Sequence, residues 1–85
     1  MVSRDTGLYR VGEEHVEYLA TLPEPTRQLI VLRDTRFQGS WQALEARLTD
    51  PARKRDVQDL RKYEADNAIN LAFYMRLFVA RKQGA

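Results

Sequence analysis

Two signals that contain proline divide the central stretch of the chain, Leu22–Tyr63, into short segments. The first signal, Leu22–Pro25, disfavours helix before each of its prolines and suits the first turn of a helix that follows. The second, Thr49–Pro51, has an aspartate that can cap a helix and a proline that fits its first position. Between the two, the turn at Arg36–Gly39 leads to Ser40, another favourable N-cap residue. The stretch therefore predicts three short helices joined by tight connections.

The spacing of the apolar residues supports a helix in each of these segments. The helix predicted over residues 24–35 is apolar on every side around Leu29–Leu32, which places it centrally. Its Arg27 and Arg33 are predicted to reach the surface. The helix predicted over residues 41–48 has apolar residues at i, i+3 and i+7, beginning with Trp41. This pattern predicts that Trp41 lies in the core.

The flanking segments have weaker patterns. Glu13–Thr21 predicts one more helix, since it has an apolar stripe and acidic residues near its start. Residues 1–12 contain glycines and no periodicity, and predict a partly ordered arm. Ala68–Ala80 is apolar almost all round, which predicts a helix that is buried on several sides or pairs with a partner. The sequence leaves open whether residues 51–82 form one helix or two.

A chain of 85 residues forms one domain with a modest core. We predict an all-α fold of four to five helices with a central helix–turn–helix. Along the chain, this organisation gives an N-terminal arm at residues 1–12 and a helical domain at residues 13–66. An apolar C-terminal helix at residues 67–85 then serves docking or self-association.

The composition excludes several classes of protein. With 44% hydrophobic and 31% charged residues, the chain is too apolar for a disordered tail. The chain has no cysteine, which excludes disulfides and thiolate metal sites. Neither a signal peptide nor a membrane span is expected, because Ala68–Ala80 is too short to cross a bilayer and contains Arg76. We therefore expect a cytoplasmic protein.

The sequence contains no convincing catalytic or metal-binding pattern. It lacks a Gly-rich phosphate loop and a nucleophile beside a base, and it has a single histidine, His15. The acidic pairs Glu13/Glu14 and Asp56/Asp59 are typical of solvated helix charges. We expect no enzymatic activity, no cofactor and no bound metal.

The helix that begins at Pro51 has the pattern of a groove-reading helix. Val57 and Leu60 face inward, while the opposite side presents long basic and polar residues. Such side chains attract phosphate, and Gln or Arg can form paired hydrogen bonds with base edges. The predicted nucleic-acid-binding residues are Arg53, Lys54, Arg55, Gln58, Arg61 and Lys62. The other interpretation is a solvated helix, because Asp56 and Asp59 would repel phosphate if they share that side.

The run LPEPTRQLIVLRD followed by GSWQALEARL is similar to the C-terminal, promoter-reading domain of bacterial sigma factors, and the resemblance covers residues 22–62. In that family an LPE, an arginine and an I-V-L-R-D run precede a G-x-S-[YW]-x-E-I-A-x-x-L helix. The matching residues are Leu22, Pro23, Glu24, Arg27, Ile30, Val31, Leu32, Arg33, Asp34, Ser40, Trp41, Gln42 and Leu48. The chain departs from the family at Glu45, where a small alanine is usual, and at Asp50, where an apolar residue is usual. The resemblance implies contact with RNA polymerase and DNA contact from Lys54, Arg55, Gln58, Arg61 and Lys62.

A second resemblance, over residues 50–80, is to the needle and inner-rod subunits of type III secretion systems. It rests on Asp50, Pro51, Gln58, Leu60 and Tyr63, followed by an apolar C-terminal helix. It implies that the C-terminal helix packs into a larger assembly. The residues predicted for a partner or oligomer interface are Ile69, Leu71, Phe73, Tyr74, Leu77 and Phe78.

The sequence therefore favours a small bacterial or phage regulatory protein that binds DNA or the transcription machinery through a helix–turn–helix. Its expected partners are duplex DNA or RNA polymerase, together with a second copy of the chain or another protein. The alternative is a non-enzymatic structural or adaptor subunit of a larger helical assembly, for example of a secretion system or a phage, that uses the apolar C-terminal helix. The side of the helix that carries Lys54, Gln58 and Arg61 separates the two hypotheses, since DNA binding requires that it be open to solvent.

Overall fold

Five helices make up the computed structural model of this protein, which describes the backbone of residues 2–84 and the side chains of residues 12–82. The helices are α1 (Val2–Thr21), α2 (Glu24–Arg36), α3 (Trp41–Arg47), α4 (Pro51–Asn67) and α5 (Leu71–Gly84). Residues 2–84 contain no strand, and the predicted all-α fold of four to five helices is confirmed. Within the same residues, none of the helices has both the length and the apolar character needed to cross a membrane.

The start signals identified in the sequence begin the two helices at the centre of the fold. The Ser40 hydroxyl accepts a hydrogen bond of 3.1 Å from the Ala43 amide and caps α3. The Asp50 carboxylate accepts one of 2.9 Å from the Ala52 amide and caps α4. Only residues 48–50 separate α3 from α4, so the two form a helix–turn–helix with a short connection.

One helix boundary differs from the sequence-based prediction, and the structure shows another that the sequence left open. α1 begins at Val2, so residues 2–12 of the predicted arm are the first part of a helix. A glycine inside a helix costs only about 1 kcal/mol relative to alanine, and the glycines of this segment do not end it. The segment 51–82 contains two helices, because Ala68 takes a left-handed conformation with φ of 54°. The Asn70 carboxamide then caps α5 by accepting a hydrogen bond of 2.9 Å from the Ala72 amide.

Every helix contributes side chains to one hydrophobic core. The fully buried residues are Leu19, Ile30, Leu44, Val57, Leu60 and Leu71. α5 also places Ala72 and Met75 in this core, and an ion pair between Arg81 and Glu13 joins it to α1. The hydrogen bonds from Arg81 hold the pKa of the Glu13 carboxyl below its ordinary value. α5 therefore belongs to the same core as the other four helices.

Candidate nucleic-acid interface

A buried network centred on Glu64 fixes the position of α4 within the fold. Arg33 of α2 is 3% exposed, and its guanidinium lies 2.8 and 2.9 Å from the two carboxylate oxygens of Glu64. The indole N–H of Trp41 in α3 donates to the same carboxylate at 2.8 Å. The backbone amide of Leu71 in α5 donates to it at 2.7 Å. One carboxylate therefore ties α4 to each of these three helices.

The position of Arg33 corrects the sequence-based prediction that it reaches the surface. Its second terminal nitrogen donates to the Asn70 carboxamide at 3.0 Å, and its guanidinium lies 4.1 Å from the centroid of the Trp41 ring. Burial of a charged arginine is tolerated because the carboxylate, the carboxamide and the aromatic face replace most of its water, although among residues 12–82 its Nε has no hydrogen-bond partner. Trp41 itself is buried, as predicted. Two of the residues shared with the sigma-factor pattern are thus parts of the core network.

Three cations and a glutamine lie on the outward side of α4 and are open to solvent. Val57 and Leu60 are fully buried on the inner side of the helix. We call four of the exposed residues on the opposite side, Lys54, Arg55, Gln58 and Arg61, the α4 outer face. Among residues 12–82, no carboxylate forms a salt bridge with any of the three cations of this face. Their charges are therefore available to an anionic ligand.

The other two predicted basic residues are each paired within α4. Arg53 forms a salt bridge of 3.2 Å with Asp56, and only 32% of its side chain is exposed. Lys62 forms one of 2.8 Å with Asp66, and hydrogen bonding to Asp66 raises the pKa of the Lys62 ammonium. The Lys62 pair is exposed and follows i, i+4 spacing, so phosphate can compete for it. Arg53 is held away from the α4 outer face.

Of the two aspartates that the solvated-helix interpretation placed beside the cations, Asp56 lies on a different flank of α4. Asp56 accepts a hydrogen bond of 3.2 Å from the buried Thr26 hydroxyl of α2. Asp56 and Asp59 both line a depression together with Tyr18 of α1. Burial of Tyr18 raises its pKa, and the negative charges of neighbouring groups, including both aspartates, raise it further. Asp56 therefore does not share the α4 outer face, whereas the exposed Asp59 lies one turn after Arg55, at i, i+4 spacing, and borders that face.

An acidic residue of α3 also reaches the α4 outer face, and the sequence did not predict its place in the site. The Gln58 carboxamide donates a hydrogen bond of 3.1 Å to the Glu45 carboxylate of α3. This contact crosses the helix–turn–helix and holds the Gln58 side chain. In the sequence, Glu45 stands out only as a departure from the sigma-factor pattern, because the spacing within one helix gives no indication of contacts with another.

The residues predicted for a partner interface are divided between core and surface. Leu71 is fully buried in the core of the fold, so its assignment to an interface was wrong. Phe73 is 54% exposed and is open to a partner. The other four are partly buried, and these are Ile69, Tyr74, Leu77 and Phe78. Their role in a partner interface stays a prediction.

The one histidine takes part in an aromatic cluster inside the fold. His15 is 4% exposed, and its ring Nδ1 lies 2.9 Å from the Tyr63 hydroxyl. The Tyr74 ring meets the imidazole edge-on at a centroid distance of 4.9 Å, and Tyr63 stacks on Tyr18 at 3.7 Å. No group of three or more metal-ligating side chains occurs in the part of the chain that the structure describes. These contacts give His15 a packing role between α1, α4 and α5.

Comparison with protein-family models, with curated proteins and with solved structures finds no match to this chain. The resemblances to sigma factors and to secretion-system subunits therefore stay predictions.

Proposed function

We propose that this protein binds duplex DNA through the α4 outer face and regulates transcription. The observation that carries the proposal is the exposure of Lys54, Arg55 and Arg61, with no carboxylate partner for them among residues 12–82. Unpaired cations on one side of a helix attract phosphate by releasing the counterions of DNA. Contact with RNA polymerase is the further expectation that comes with the sigma-factor resemblance.

The arrangement of α3 and α4 supports entry of α4 into the major groove. In helix–turn–helix proteins the second helix lies in that groove, and residues near its N-terminus contact base edges. Lys54 and Arg55 lie in the first turns of α4, where the helix dipole adds positive potential. Gln58 and Arg61 follow on the same side, and these side chains can pair with adenine and guanine edges respectively. We assign base contact to Gln58, and phosphate contact to the three cations Lys54, Arg55 and Arg61.

A charge-removal experiment tests this proposal. Changing Lys54 and Arg61 together to alanine should weaken duplex binding and lower the slope of log affinity against log salt by about 2 units, one for each lost cation. The measurement is fluorescence anisotropy with a labelled duplex over a series of salt concentrations.

The matched control removes the same charge elsewhere. Arg36 of α2 and Lys82 of α5 are exposed and lie outside α3 and α4. Changing both to alanine should leave the slope nearly unchanged if binding is localised to α4. Equal losses from the two double variants, or no binding by the unchanged protein at low salt, would refute the proposal.

Removal of the Glu45 charge should strengthen binding. Glu45 touches Gln58 on the α4 outer face, where its carboxylate repels phosphate. An exposed charge of this kind contributes at most about 1 kcal/mol, so Glu45→Gln should raise affinity by up to about fivefold. The same anisotropy assay measures the change. Glu14→Gln, at an exposed position of α1, should have no effect, and weaker binding by Glu45→Gln would contradict this role.

The second candidate function is a non-enzymatic structural or adaptor subunit. Its specific support is apolar surface on α5, where Phe73 is 54% and Val79 38% exposed. Exposed apolar residues that cluster on one element are typical of protein interaction sites. Because helix–turn–helix proteins commonly act as dimers, such a surface is also compatible with DNA binding.

A further inference from the structure

An apolar groove runs between α2 and α5, away from the α4 outer face. It has a volume of about 440 Å³, and its floor and walls include Val31 of α2 with Met75, Val79 and Ala80 of α5. Neither α3 nor α4 contributes a lining residue. A domain of this size buries only a modest hydrophobic core. It therefore gains stability when a partner covers apolar surface that is open to water.

The outer side of α5 carries one large and one small residue, seven positions apart. Phe73 is a large, exposed apolar side chain, and the exposed Ala80 lines the groove. Residues seven apart lie on the same side of a helix, about 10.5 Å apart along its axis. When two copies of α5 lie antiparallel across a two-fold axis that passes between Arg76 and Leu77, Phe73 of one copy lies opposite Ala80 of the other.

We propose that a second copy of this chain covers the groove, with the two α5 helices antiparallel. In this arrangement Phe73 of each copy packs against Ala80 and Val79 of the other, so a large side chain fills the space beside a small one. The contact is isologous and closes on itself, as expected for a two-fold dimer. It joins α5 to α5, and it does not depend on whether α4 binds DNA.

The charges at the rim of the groove favour a second copy over a partner of strong net charge. The rim carries one acid and one base, Asp34 and Arg76, and a carboxylate oxygen of the first lies 3.5 Å from a guanidinium nitrogen of the second. A strongly acidic or basic partner would gain from one of these groups and be repelled by the other. The antiparallel register places Arg76 opposite Leu77, so the two Arg76 guanidinium groups do not face each other. The aliphatic stem of Arg76 can then cover Leu77 while its charge stays with Asp34.

Sedimentation equilibrium of the full chain over a range of concentrations tests the dimer. The unchanged protein should dimerise, and Val79→Asp should give a monomer because a charge enters the groove. Leu32→Asp is the matched control, since Leu32 is 36% and Val79 38% exposed but Leu32 does not line the groove. A monomeric unchanged protein would overturn the proposal, and so would equal loss of dimer from the two variants.

A size-exchange experiment tests the register and does not introduce a charge. Phe73→Ala should weaken dimerisation by about tenfold or more, as expected for loss of a central aromatic contact. Ala80→Phe should also weaken it, because two phenylalanines then compete for one space. The double variant Phe73→Ala/Ala80→Phe again sets one phenylalanine against one alanine, so it should recover most of the dimer affinity. Helix content measured by circular dichroism verifies folding of each variant, and additive losses in the double variant would overturn the antiparallel register.

Discussion

Changing Glu64 to alanine is expected to lower the free energy of unfolding by about 3–5 kcal/mol. The carboxylate of Glu64 is the partner of the Arg33 guanidinium, the Trp41 indole and the Leu71 amide. Its removal leaves a buried charge without its anion and two donors without their acceptor. The free energy of unfolding of native proteins is about 5–15 kcal/mol, so this one change removes a large part of it.

Urea unfolding followed by tryptophan fluorescence measures the effect, because Trp41 is the only tryptophan and contacts the network directly. Asp66→Ala is the matched control on the same helix. Asp66 pairs with Lys62 on the surface, where side-chain exposures are 59% and 75%, and its loss should leave the unfolding midpoint nearly unchanged. Similar losses from the two variants would show that the Glu64 network does not hold the helices together.

Changing Leu71 to alanine is expected to lower the free energy of unfolding by about 2–5 kcal/mol, because it opens a cavity in the core. Leu71 is completely buried, whereas Phe73, two positions later on the same helix, is 54% exposed. Phe73→Ala loses only an edge-to-face contact with Tyr74 at a centroid distance of 5.0 Å, so it should lower the stability of the monomer by about 1 kcal/mol. Thermal or urea unfolding at low protein concentration compares the two without a contribution from self-association.

This pair of variants separates the core side of α5 from its outer side. If Phe73→Ala destabilised the monomer more than Leu71→Ala, the orientation of α5 in the core would be wrong. Both the groove and the antiparallel register depend on that orientation, so the comparison also bears on the proposed dimer.

Local chemistry made much of the fold predictable. Ser40 and Asp50 begin helices because their side chains accept hydrogen bonds from amides two or three residues later, and such contacts can be inferred from sequence alone. The periodicity correctly predicted that Val57 and Leu60 lie on the buried side of α4. The sequence did not show whether the helix ends at Ala68. Glycine or asparagine at this position would have indicated a left-handed conformation, but alanine does not.

Contacts between distant parts of the chain account for what the sequence did not show. Arg33 was predicted to be exposed, but its partner Glu64 lies far along the chain and on another helix. Leu71 was assigned to an interface because a segment that is apolar all round does not indicate which side meets the core. For the candidate site, spacing alone predicted the shared side of Lys54, Gln58 and Arg61, while the contact of Glu45 with Gln58 needed the packing of α3 on α4.

The most direct test of the central claim, that the α4 outer face meets phosphate, is an NMR titration of isotope-labelled protein with a short DNA duplex at low salt. We expect the largest amide shifts at Lys54, Arg55, Gln58 and Arg61, and we expect them to disappear as salt is raised. No shift on saturation with the duplex, or shifts confined to α2 and α5, would contradict the claim.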